Sequence, residues 1–177
     1  MKKVFLGILS FALFATTGLA QTGKNQLGIG AEAALPTGDL KDVSKTGYGI
    51  TLKGLYGVGS AGQVTLTSGL ISFSAKNELK DLLGASKITT TFIPVLAGYR
   101  QHFNGFFVEP QVGYGIFAGK IKGGEFAESS SEGAFTWAAG VGYVFSSIEI
   151  GARYQSSHKD GESNALVGIR VAYNFSF

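Results

Sequence analysis

The feature that most constrains this chain is a period of two. From Leu27 onwards, apolar residues fall at alternate positions in eight segments of about ten residues each. Leu27, Ile29, Ala31, Ala33 and Leu35 share one face of the first segment, and Tyr48, Ile50, Leu52 and Tyr56 one face of the second. Val64, Leu66 and Leu70 open the third, and Ile93, Val95, Ala97 and Tyr99 mark the fourth. Val108, Val112, Tyr114 and Ile116 follow, then Phe135, Trp137, Val141 and Tyr143. Ile148, Ile150, Ala152 and Tyr154 form the seventh face, and Val167, Ile169, Val171, Tyr173, Phe175 and Phe177 the eighth. The intervening positions are small or polar. Alternate side chains point to opposite faces only in a β-strand, so each segment predicts a strand with one apolar face.

Composition narrows what such strands can build. The chain has 177 residues, 27 of them Gly, no Cys and only 15% charged residues. Absence of Cys removes disulfide frameworks and thiolate zinc sites. Past the first 20 residues no apolar run approaches the ~18 residues of a membrane-spanning helix. Those first residues read separately. Met1-Lys2-Lys3, the apolar stretch from Val4 to Ala15, and Gly18-Leu19-Ala20 have the layout of a cleavable signal peptide. The expected division is a signal peptide over 1–20 and one domain over 21–177. An uncleaved anchor is the weaker alternative, because the apolar stretch is short. Removing Lys2 and Lys3 lowers the formal net charge from +3 to +1, so no nucleic-acid partner is expected.

The connections alternate as well. Long ones are expected at about 37–46, 74–87, 118–133 and 157–163, and short ones at about 58–62, 104–105 and 146–147. A helical turn is possible in 77–84. Asn104-Gly105 is a strong two-residue hairpin signal, because both positions of a type I′ turn need φ > 0. Nine of the 12 acids fall in the four long connections, as do eight bases. The charges inside the predicted strands are Glu32, Lys53, Arg100, Glu109, Glu149, Arg153 and Arg170, all on the small or polar face. A soluble lipocalin-type barrel would need a dense charged exterior, and seven charges cannot supply it. A membrane barrel turns the apolar face to lipid, where a mid-depth charge costs ~2–4 kcal/mol. The expected fold is all-β: an eight-stranded, antiparallel, up-and-down transmembrane barrel.

The last strand, Tyr173-Asn-Phe-Ser-Phe177, carries aromatics at every second position. With the signal peptide and the strand pattern, it resembles the small eight-stranded outer-membrane barrel family that contains the OmpA membrane domain and OmpX. Ile93-Pro-Val-Leu-Ala-Gly-Tyr-Arg100 is similar to the fourth strand of the porin-family "outer membrane protein β-barrel domain" group. The resemblance implies a bacterial outer-membrane location, a monomer at the cell surface in outer-membrane lipid, and periplasmic termini. It also implies that Tyr173, Phe175 and Phe177 form the signal read by the barrel-assembly machinery. No peptidoglycan-binding domain is expected after strand eight.

The Asn104-Gly105 turn sets a register in which Phe103 opposes Phe106 and Arg100 opposes Glu109. By the same reasoning Gly140 opposes Arg153, leaving room for its guanidinium. Three acids and four bases can then neutralise one another in a lumen just wide enough to be filled by side chains. His102 also falls on the lumen face. Three features fit the pattern less well. Pro94 and Pro110 sit inside strands of a sheet without edges, and Pro110 should cost a ladder bond or a bulge opposite Tyr99. Ile71 and Phe73 are apolar on the wrong parity, so strand three should bulge or end near Leu70. Tyr48, Phe103, Phe106, Trp137, Tyr143 and Phe175 read as interfacial girdles. The expected role is a structural or surface-interaction protein acting through four extracellular loops, with no enzyme activity, metal or cofactor and with no loop partner identified. A narrow porin-like channel is the alternative. A lipid-modifying enzyme using His158 with nearby serines, such as Ser129-Ser-Ser131, is the more remote one.

Overall fold

The fold was analysed in a computed structural model that describes residues 25–38, 40–78, 85–123 and 126–177, with the side chains of 122–129 outside the description. Eight strands follow one another: β1 (Gln26–Thr37), β2 (Gly47–Val58), β3 (Gly62–Ser74), β4 (Lys87–Phe103), β5 (Phe106–Gly123), β6 (Phe126–Phe145), β7 (Ile148–Lys159) and β8 (Glu162–Ser176). A one-turn helix, α1 (Leu40–Val43), lies between β1 and β2. Each strand pairs antiparallel with its neighbour, and β8 returns to β1, closing the barrel. Closure matters because backbone N–H and C=O groups in hydrocarbon have no water to bond. No helix among the described residues is long and apolar enough to cross a membrane; the strands cross instead.

The period-two faces sort as expected. Ile50, Leu66, Val112, Val141 and Val171 are exposed on the outside, whereas Glu32, Thr51, Gln111 and Asn174 are buried inside. Phe103, Phe106, Tyr143 and Phe175 ring the outside at the end where the termini lie, and Phe106 packs edge-on against Tyr143 with centroids 4.8 Å apart. Tyr48, Tyr114, Phe135 and Trp137 ring the other end, and Trp137 tilts against Tyr154.

The tight turns come from local chemistry. Asn104 and Gly105 have φ of 50° and 89°, the left-handed pair that the Asn-Gly dipeptide favours. Phe103 pairs with Phe106 as expected. The β4–β5 ladder is interrupted only at Tyr99–Arg100 and Glu109–Pro110, and the register is the same on both sides. Pro110 therefore costs ladder bonds without a bulge, since it has no N–H to give Tyr99. Pro94 does the same on the β3 side, between Ser68–Val95 and Ile71–Phe92.

Three expectations need correction. Strand three neither bulges nor ends at Leu70. It continues to Ser74 in the same register on both sides of the Pro94 gap, with Ile71 and Phe73 turned into the barrel. Those two residues pack there with Ala34, Phe92 and Leu166, a cluster that the third strand alone could not reveal. The connections placed at 118–133 and 157–163 are largely strand. β5 and β6 pair out to Gly123–Phe126, and β7 and β8 pair out to Lys159–Glu162 across Asp160-Gly161, whose φ values are 49° and 87°. Asp-Gly is itself a type I′ hairpin signal; the polar residues around it masked it. The helical turn considered in 77–84, and the signal peptide, fall largely or wholly outside the described residues.

The lumen side tolerates little added volume. A Cβ at Gly113 would stand 2.1 Å from the Val95 carbonyl oxygen and 3.0 Å from the Leu96 Cα, whereas one at Gly54, on the lipid face, meets nothing within 4 Å. Backbone cannot yield as a flexible side-chain end can. Gly113→Ala should therefore destabilise the barrel by about 1–3 kcal/mol and Gly54→Ala should leave it unchanged. Urea unfolding in detergent, read by the gel-mobility shift of folded against heated protein, compares the two.

Candidate functional site: the lumen and its ion-pair network

The seven strand charges all point inwards and separate into two groups. The larger contains Lys53, Arg100, Glu109, Glu149 and Arg170. Arg100, fully buried on β4, lies between two carboxylates. Its Nε and Nη2 donate to Glu109 Oε2 at 2.9 and 2.7 Å, and its Nη1 and Nη2 donate to Glu149 at 2.7 and 3.1 Å. Only a guanidinium offers such a planar fork. Lys53 Nζ donates to both Glu109 oxygens at 3.0 and 2.8 Å. Arg170 Nη1 donates to Glu149 Oε1 at 2.6 Å, and Asn174 Nδ2 to Glu149 Oε2 at 3.2 Å. Thr65 Oγ1 and Gln111 Nε2 complete the shell around Glu109 Oε1 at 2.8 and 2.9 Å. The network links β2, β4, β5, β7 and β8, so it bridges the lumen from wall to wall.

The second group is one pair, Arg153 Nη2 to Glu32 Oε1 at 2.9 Å. Gly140 does stand opposite Arg153, but it is not the residue that makes room. The guanidinium reaches the other way, past Gly168 of β8, to Glu32 on β1. A Cβ at Gly168 would lie 2.4 Å from Glu32 Oε1 and 3.4 Å from Arg153 Cγ. Two-strand reasoning missed this, because the pair spans three strands.

Around the ionic layer the lumen changes character along its length. Towards the termini, Phe107 lies under the Arg100 guanidinium, with Cζ 3.7 Å from the ring centroid, a cation–π contact. Beyond it His102 Nε2 meets Gln63 Oε1 at 2.8 Å, and Gln63 Nε2 donates to Gln26 Oε1 at 3.2 Å. The cavity beside the ion pairs, lined by Lys53, Glu109, Glu149, Arg153 and Arg170, holds only about 30 Å³, roughly the space of one water. Towards the opposite end the filling turns apolar: Ile71, Phe73, Phe92 and Leu166 fill the barrel, with Phe117 tilted against Phe92 at a centroid distance of 4.7 Å. Two large residues of this cap, Ile71 and Phe73, were legible in sequence only as misplaced apolars, and Phe92 was not singled out at all.

Among the described side chains His158 meets Ser156 and Trp137 rather than Ser130 or Ser131, and Ser129 lies outside the description. His158 lies on the outward face, with Nε2 2.9 Å from Ser156 Oγ and 3.3 Å from the Trp137 indole N–H, inside the aromatic girdle. No group of three or more metal-ligating side chains occurs among the described residues.

A model of the outer membrane protein beta-barrel domain matches residues 6–175. The chain belongs to this family. It is an integral protein of the bacterial outer membrane, and its apolar strand faces are its lipid surface. Solved barrels share the fold. The attachment invasion locus protein Ail of Yersinia pestis aligns over 88% of this chain and 100% of its own, with TM-score 0.65 and 18% identity. Neisserial surface protein A (NspA) covers 85% of this chain and 97% of its own at TM-score 0.57 and 13% identity. The N-terminal barrel domain of Pseudomonas aeruginosa OprF covers 86% and 99% at TM-score 0.53 and 17% identity. No curated protein matches the chain by sequence.

The network makes Arg100 the side chain on which two buried carboxylates depend. Removing one partner of a buried ion pair costs about 3–5 kcal/mol. Arg100→Met should lower unfolding free energy by that amount, measured by urea titration in detergent. The Arg100→Met/Glu149→Gln double variant should recover part of the loss, because one of the stranded charges goes with it.

Proposed function

We propose that this protein is a non-conducting, non-enzymatic outer-membrane anchor that acts through the surface it presents outside the cell. The observation that carries this reading is the closed lumen. Five ionised side chains bridge the barrel with direct bonds of 2.6–3.1 Å, and the apolar cap of Ile71, Phe73 and Phe92 closes the end away from Ser176, the extracellular end in this reading. A hydrated ion would have to break the first layer and wet the second.

The presented surface is more ordered than a set of four loops. β4, β5 and β6 continue past the barrel rim as a small sheet, because β5 and β6 pair as far as Gly123–Phe126 while β7 reaches β6 only from Phe135. The backbone of β6 between 127 and 133 thus has a partner on one side only among the described residues. A free strand edge is a template for an incoming strand, and we assign the interaction role to it. Ail, NspA and OprF share the barrel, and Ail has been crystallised with the heparin analogue sucrose octasulfate. Such precedents support a surface role.

Two further roles belong to this reading. Residues 1–20 direct export and are then removed. Tyr173, Phe175 and Phe177 are the strand signal for barrel assembly; the first two are outward and meet edge-on with centroids 4.7 Å apart, where an assembly factor can reach them.

Planar-bilayer recording tests the anchor reading. The purified barrel should give no discrete current steps, whereas Arg100→Ala combined with Phe92→Gly should give them. Steps from the unaltered protein at the frequency of the variant would overturn it.

A further inference from the structure

The larger ion-pair group does not balance. Lys53, Arg100 and Arg170 bring three positive charges, and Glu109 and Glu149 bring two negative ones. Arg153 with Glu32 is neutral in itself. The next acids on inward positions, Glu132 and Glu162, are exposed at the far rim, beyond Phe92 and Leu166. One positive charge is therefore left over inside the barrel, where an uncompensated ion is costly.

The unpaired polar atoms show where that charge can be met. Arg153 Nη2 and Arg170 Nη2 are buried and have no hydrogen-bond acceptor among the described residues. The first lies 2.9 Å from Glu32 Oε1, but the aligned bond to that oxygen comes from Arg153 Nε at 3.0 Å. Both arginines line the cavity of about 30 Å³, together with Lys53, Phe107, Gly140 and Gly151. The carboxylates on its wall are already engaged, because both oxygens of Glu109 and of Glu149 receive bonds. The buried acceptors without a partner, such as Asn174 Oδ1 and Gln155 Oε1, belong to residues that do not line it. The wall thus offers spare donors and engaged acceptors. A water there would bring two hydrogens with no free carboxylate oxygen to receive them. A monatomic anion brings none, accepts N–H groups from several directions, and is only a little larger than a water.

We propose that this cavity binds one small monatomic anion, chloride among the common ones, between Lys53, Arg153 and Arg170. The ion cancels the leftover charge and satisfies the stranded guanidinium donors, so it completes the plug without opening a path through it. Entry is from the end where the termini lie, where a cavity of about 780 Å³ opens beside Gln63 and His102; the apolar cap closes the other end. Gly140 and Gly151 keep the room. A Cβ at Gly140 would meet nothing closer than 3.5 Å, so alanine fits there and takes up part of the cavity.

Urea unfolding of the refolded barrel in neutral detergent tests this, with chloride replaced by gluconate, which is too large for the cavity, at one ionic strength. Above the dissociation constant, each tenfold rise in chloride should raise the folded-to-unfolded ratio about tenfold. Arg170→Gln removes the excess charge and Gly140→Ala removes the room, and each should abolish this gain. The heat-modifiable gel shift checks that both variants are folded. Bromide-soaked crystals of the unaltered protein should show an anomalous peak beside Arg170 and Lys53. Equal stability in chloride and gluconate would overturn the proposal, as would a gain that persists in either variant or a cavity without a bromide peak.

Discussion

Backbone polar groups cannot go unpaired in hydrocarbon, and every level of this structure follows from that. An open sheet would leave two strand edges in lipid, so β8 must return to β1 and the chain must form a closed ring. Closure with eight strands sets a lumen about as wide as two facing side chains. Period two then dictates that half of all strand residues point into that space. The lumen cannot be left empty at ordinary packing density, and it cannot be filled by bulky side chains throughout. Glycine at 28, 113, 140 and 168 and long side chains at Arg100, Arg153 and Arg170 are complementary answers to one volume constraint.

A charged plug is an expensive way to fill the lumen, since burying ions forfeits their hydration. Here the cost is offset by bond count. Glu149 receives Arg100, Arg170 and Asn174, while Glu109 receives Arg100, Lys53, Thr65 and Gln111. No apolar side chain makes directed bonds across five strands, so the network fixes strand register from the inside as the ladders do within the wall. The apolar cap has another effect: it makes the end of the lumen away from Ser176 hard to wet.

The protruding sheet is where barrel logic stops. Past the hydrocarbon, water can satisfy backbone polar groups, so β6 can leave one edge without a partner among the described residues, and the outward face can carry lysine. The same strands serve as lipid surface below and as presentation surface above. The transition falls within about four residues of Ile116, a few strand residues beyond the aromatic girdle.

Much of this was legible without coordinates. Alternation alone specified eight strands, which face meets lipid, and that the seven strand charges lie inside; the Asn104-Gly105 turn fixed Arg100 against Glu109. These are local properties, set by a two-residue period and by one dipeptide's φ preference. What tertiary structure decided involves residues far apart in the chain. Ile71 and Phe73 looked like a broken pattern because their partners Phe92 and Leu166 come from other strands. Arg153 finds Glu32 because Gly168, on the strand between them, has no side chain. The extension of β5 and β6 into a sheet, and with it the placement of Lys120 on a strand, depends on pairing that a polar, Ser-rich stretch conceals, since its residues have weak strand preference on their own. Periodicity states which way a side chain points; only closure of the ring states what it meets there.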